Sequence, residues 1–72
     1  MPTINMIATG KNIKNMMTAR GMKTKDIQTA FGFNTPQAIF KWFRGDSIPT
    51  VDNLVVLAKL FDTTMDNIIV TN

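Results

Sequence analysis

Apolar residues recur every three or four positions along most of this chain, the spacing of one buried face on an α-helix. Met6, Gly10, Ile13 and Met17 make the first stripe, widened by Met16, with Lys11, Lys14 and Asn15 on the opposite face. This pattern predicts a helix from Asn5 or Thr9 to Arg20, closed by Gly21. A shorter stripe of Ile27, Ala30 and Phe31 predicts a second helix, with Thr24 as N-cap and Gly32 as its stop. The third is predicted to begin at Thr35 with Pro36 as its first helical residue. Ala38, Ile39, Trp42 and Phe43 form its inner face and leave Gln37, Phe40, Lys41 and Arg44 outward. Thr50 caps a fourth helix after Pro49, with Leu54, Leu57, Ala58 and Phe61 inward. The fifth is short, capped by Thr63 or Thr64, and its stripe is Met65, Ile68 and Ile69.

Gly and Pro mark the same boundaries. Gly21, Gly32 and Gly45 each follow an apolar stretch, and Pro36 and Pro49 stand near the start of the next. Gly accepts the positive φ that ends many helices, and Pro lacks only an N–H that is unpaired in a first turn anyway. No stretch alternates with period two for long enough to make a sheet. Ile68-Ile69-Val70 is β-prone and is free to fray or extend. There is no low-complexity tract, linker or internal repeat. The expected fold is all-α, five helices in a single domain over residues 1–72.

Composition narrows the chemistry. A chain of 72 residues has room for one domain, burying only roughly 60% of the surface it exposes when unfolded. Apolar residues make up 44% and charged residues 18%, a globular rather than a disordered balance. Without Cys there is no disulfide framework and no thiolate metal site, which fits a reducing cytoplasm. Without His, Glu or Tyr, acid–base chemistry falls to five Asp and six Lys, and a zinc or haem site has almost no ligands. Neither catalysis nor a metal or cofactor is expected. No apolar run approaches the ~20 residues of a membrane span, and no signal peptide is read near Met1. A cytoplasmic protein without a membrane partner is expected.

Charge is unevenly spread. Up to Arg44 there are seven cations against Asp26 alone, a net of +6; from Gly45 onward Lys59 faces four Asp, a net of −3. The basic part suits a polyanion, nucleic acid or a membrane surface. Scattered lysines also keep a small domain soluble, and charge alone does not separate these readings.

Thr24 to Gly45 separates them: a short helix, a tight turn at Gly32-Phe33-Asn34, and a second short helix. Such a pair reads as a helix-turn-helix. The first helix braces the second, which can then enter a major groove wide enough for one helix. Gln37, Phe40, Lys41 and Arg44 are the outward groups, with Thr35 at the leading end. Trp42 lies in the inner stripe and is expected in the core rather than as a stacking platform. Phe40 is either a thymine-methyl contact or a partly covered surface aromatic. The six Met are expected mainly as adaptable core filler, and Asp62 and Asp66 as capping acids.

The run Phe40-Lys41-Trp42-Phe43-Arg44-Gly45, then Ile48-Pro49, Asn53-Leu54 and Leu57-Ala58, resembles the Cro and lambda-repressor type of DNA-binding domain, the XRE family. Thr64-Met65-Asp66-Asn67-Ile68-Ile69 is similar to that family's fifth-helix ending, so the resemblance covers about Gly10 to Val70. Departures are a turn one residue longer than the commonest version, at Phe33 or Asn34, and Phe43 where the family usually has Glu. Gln28-Thr29-Ala30 also stands where many relatives place Ala and acidic residues. The resemblance implies a sequence-specific regulator of transcription that binds double-stranded DNA. With the whole chain read as that domain, no small-molecule ligand is expected. The resemblance also implies base reading by Gln37 and Lys41 and a phosphate contact at Thr24. Thr35 and Phe40 are further candidates for base contact, and Lys25, Arg44, Lys11 and Lys14 for phosphate contact. Cations at a helix start are mildly unfavourable, which makes Lys25 more useful to a phosphate than to its own helix. Ile68-Ile69-Val70 is apolar enough to suggest a homodimer through helix 5. The alternative is a protein–protein module on the same fold, antitoxin-like, using the acidic, apolar C-terminal end.

Overall fold

Ile13, Ile27, Ile39, Leu57 and Ile68, one residue from each of five helices, are completely buried, and the chain folds around them. The computed structural model describes residues 2–72. Its elements are α1 (Met6–Ala19), α2 (Thr24–Phe31), α3 (Gln37–Arg44), α4 (Val51–Leu60) and α5 (Met65–Ile68). The all-α, five-helix expectation holds.

Local chemistry explains where these helices start. Asn5, Thr50 and Thr64 cap α1, α4 and α5, each side chain accepting from a backbone N–H three residues on. Such a bond satisfies one of the orphan donors of a first turn. Two starts differ from expectation. Thr24 is the first residue of α2, not its cap; Lys23 is the cap, and its N–H donates to Asp26 Oδ2 at 2.8 Å. A carboxylate makes the stronger, charge-assisted acceptor, and it draws the helix start one residue back. Pro36 caps α3 instead of opening it: with φ −84° and ψ 8° it stands outside the helix, while its carbonyl accepts the first helical bond, from Phe40 N–H at 3.0 Å.

The first four helices end alike. The N–H groups of Met22, Phe33, Asp46 and Thr63 reach back to carbonyls five residues earlier, at 2.8–3.0 Å. The residue just before each donor is left-handed: Gly21, Gly32, Gly45 and, at φ 53°, Asp62. Asp62 therefore terminates α4 rather than capping α5, and its carboxylate lies 3.4 Å from Arg20.

The core stripes match the spacing with two corrections. Met6 is exposed, and Thr9, 1% exposed, takes its place on the buried face of α1. Ala30 is exposed, so α2 contributes mainly Ile27, with Phe31 half-buried. Met17 is core; Met16, Met22 and Met65 pack partly buried against it, while Met1 lies outside the described residues. On α4, Leu54, Leu57, Ala58 and the following Phe61 are all buried as expected.

After α5 the β-prone tail extends. Asn5 N–H donates to the Val70 carbonyl at 2.8 Å, Asn72 N–H to that of Thr3 at 2.9 Å, and Ile4 pairs antiparallel with Thr71. Thr9 Oγ1 accepts from Val70 N–H at 2.9 Å, and Asn12 Nδ2 donates to the carbonyls of Asn67 and Ile68 at 2.7 and 2.9 Å. With Ile68 buried and Ile69 and Val70 half-buried, the apolar residues of α5 largely close the core instead of forming a free face.

Candidate nucleic-acid interface

α3 is held from behind on two sides. Gly10 of α1 lies against the carbonyls of Trp42 and Phe43, and Gly45 lies against the backbone of Ile7. From the other side, the turn between α2 and α3 is fixed by its own aromatic side chains. Phe33 stacks on Phe31 at 5.2 Å between ring centroids, and both rings meet Trp42 edge-on, at 5.8 and 6.1 Å. Offset and edge-to-face contacts of this kind are the favourable aromatic geometries. Gln28 Nε2 donates to the Phe33 carbonyl at 3.2 Å and ties the turn back to α2. Trp42, 4% exposed, is core as expected. Of the two candidates for the extra turn residue, Phe33 is packed in the aromatic trio and Asn34 is exposed.

The outward side of α3 carries the predicted polar set. Gln37 and Lys41 are exposed, four residues apart and so one turn apart on the same face. Together with Thr35 they line a shallow concavity of about 380 Å³, completed by Phe33, Asn34, Ala38 and Ser47. Helical spacing does not single out Asn34 or Ser47 for this site; their only sequence signal is that they are small polar residues beyond the two ends of α3. Phe40 is exposed but stands outside this concavity, its ring 6.4 Å from Phe43.

The candidate phosphate contacts lie on α1, at the start of α2 and at the end of α3. Thr24 is half-buried at the first position of α2, and Lys25 beside it is exposed. Lys11 and Lys14 are exposed on α1, and Lys14 Nζ sits 5.8 Å over the Phe43 ring, a cation–π distance that ties this charge to α3. Arg44 is exposed and engaged: its Nε donates to Asp46 Oδ2 at 2.8 Å. A phosphate at Arg44 would have to compete with this carboxylate, the sole acidic group between Thr35 and Pro49.

These groups suit an extended anion carrying readable polar edges. Gln37 and Lys41 project an amide and an ammonium group from a braced helix, with Arg44 at its end and Lys14 held over Phe43 as further cations. Among the described residues no helix is long and apolar enough to cross a membrane. Residues 13–68 match a family model described as Helix-turn-helix, HTH_3. Comparison with curated proteins and with solved structures finds no match.

Proposed function

From the premise that the chain belongs to the helix-turn-helix family HTH_3, as a DNA-binding domain of the Cro and lambda-repressor type, we propose a specific role for it. It is a cytoplasmic, non-enzymatic regulator of transcription that reads double-stranded DNA with α3 in the major groove. Two copies bind paired half-sites, because one such domain touches few bases. The observation that carries the reading is the shared concavity of Thr35, Gln37 and Lys41 on a helix braced by α1 and by the aromatic turn. Gln37 and Lys41 read base edges, with Thr35 at the leading end and Phe40 as an apolar contact; Thr24, Lys25, Arg44, Lys11 and Lys14 hold phosphates.

Selection of bound sequences from a random duplex library tests this directly. Enrichment of a defined site, with affinity falling as salt rises at a log–log slope of about −3 to −5 per subunit, supports it. Lys25→Ala is then expected to make the slope shallower and weaken all sequences alike. The second reading is an interaction module on the same fold, favoured by the exposed valines of α4 and the acidic second part of the chain. A library with no enriched sequence and an affinity indifferent to salt would favour that module.

A further inference from the structure

α4 buries Leu54, Leu57 and Ala58 and turns Val51, Asp52, Val55, Val56 and Lys59 to solvent. At 100° per residue those five outward positions lie within about 140° of the helix circumference, so they form one face. Its three valines are 68%, 39% and 37% exposed. β-Branched residues are weaker helix formers than Ala, Glu or Lys, so neither solvation nor helix propensity accounts for three of them here. This face has no counterpart on α5, where Ile68 is buried inside the core.

The charges on this face are arranged symmetrically about its middle. Asp52 and Lys59 stand three and a half residues before and after the midpoint between Val55 and Val56, about 5 Å along the axis in each direction. On one helix they are about 10 Å apart, too far for a direct pair. The two ion pairs found among the described residues, Arg20–Asp62 and Arg44–Asp46, involve neither. A two-fold axis through that midpoint changes this. An antiparallel second copy brings Asp52 level with Lys59 of the other copy, twice, and Val55 level with Val56, twice.

We propose that α4 is a self-complementary docking face for a second copy of this chain, antiparallel, with the two Asp52–Lys59 pairs flanking a valine seam. This deepens the paired-half-site reading by naming the surface that joins the two subunits. An isologous contact of this kind closes after two copies and leaves no open end. Five side chains are well short of the roughly 20–30 residues a side of a standard interface. The dimer is therefore weak in free solution, and two half-sites on one duplex strengthen it by raising the effective concentration of one copy at the other.

Sedimentation velocity of the full chain without DNA, up to high micromolar concentration, tests the face separately from any DNA activity. Asp52→Lys and Lys59→Asp each place like charges opposite one another, and each is expected to weaken self-association on the order of tenfold. The double variant Asp52→Lys/Lys59→Asp restores the pairing in reverse and is expected to recover wild-type association. All three change exposed groups, and circular dichroism checks that their fold is unaltered. A wild-type chain that stays monomeric both free and on DNA carrying two selected sites overturns the proposal, as does a double variant as weak as either single one. Either failure leaves specific binding by one domain standing, whereas a library with no enriched sequence removes the DNA reading and leaves this solution result untouched.

Discussion

A β-carbon on Gly10 would overlap the carbonyl oxygen of Trp42 and lie 2.9 Å from that of Phe43, so α1 crosses α3 backbone against backbone. The helix that presents Gln37 and Lys41 is positioned by the absence of a single methyl group.

Gly10→Ala is accordingly expected to destabilise the fold by about 3 kcal/mol, since the obstacle is main chain and cannot rotate away. Gly32→Ala is the control. Nothing stands within 4 Å of its new β-carbon, and only the left-handed backbone at φ +69° is strained, at a cost of about 1–2 kcal/mol. Urea unfolding of the two variants checks the order. A Gly10 variant as stable as the Gly32 variant would mean that α1 and α3 can separate freely.

Asp62 occupies a left-handed position that Gly fills at the ends of α1, α2 and α3. Replacing it with Gly is expected to raise stability by about 0.5–1 kcal/mol, through relief of that strain. The ion pair lost with Arg20 is exposed on both sides and offsets little of the gain. Thermal unfolding reads the difference as a midpoint higher by a few degrees.

Thr9 closes the C-terminal segment onto α1 through its hydroxyl, which accepts from Val70 N–H at 2.9 Å. Thr9→Val keeps the shape but leaves that donor without its partner, at an expected cost of about 1–3 kcal/mol. Hydrogen exchange localises the effect. Val70, and Asn5, whose N–H donates to the Val70 carbonyl, are expected to lose protection before the amides of α3 do.

On DNA, Gln37→Ala and Lys41→Ala are each expected to relax preference at one or two positions of a half-site, by roughly 1–3 kcal/mol of discrimination. Non-specific binding changes little. Arg44→Ala weakens all sequences alike, and Asp46→Asn, which releases the Arg44 guanidinium, strengthens all alike. Sequence selection and titrations at two salt concentrations distinguish these effects. An unchanged selected site in both the Gln37 and Lys41 variants would mean that α3 docks by another face.

What could be read along the chain is what depends on neighbours three or four residues away. The stripe Leu54, Leu57, Ala58 and Phe61, the caps at Thr50 and Thr64, and the glycine stops are local, because helical periodicity and unpaired first-turn N–H groups are local. The outward exposure of Gln37, Lys41 and Arg44 follows from the same periodicity. Other features needed a partner distant in sequence. Thr9 replaces Met6 on the buried face because Val70, 61 residues away, supplies its hydrogen bond. Ile68 is core rather than interface because α5 folds back onto α1, where Asn12 holds its last carbonyls. Phe33 becomes an anchor of the turn only when Trp42 is brought beside it. Arg44 and Asp46 are only two residues apart, and their 2.8 Å pairing across the left-handed turn at Gly45 is local, but helical periodicity does not show it. Periodicity says which way a residue faces along its own helix. What it then faces depends on contacts between helices, and those form only when the whole chain is packed.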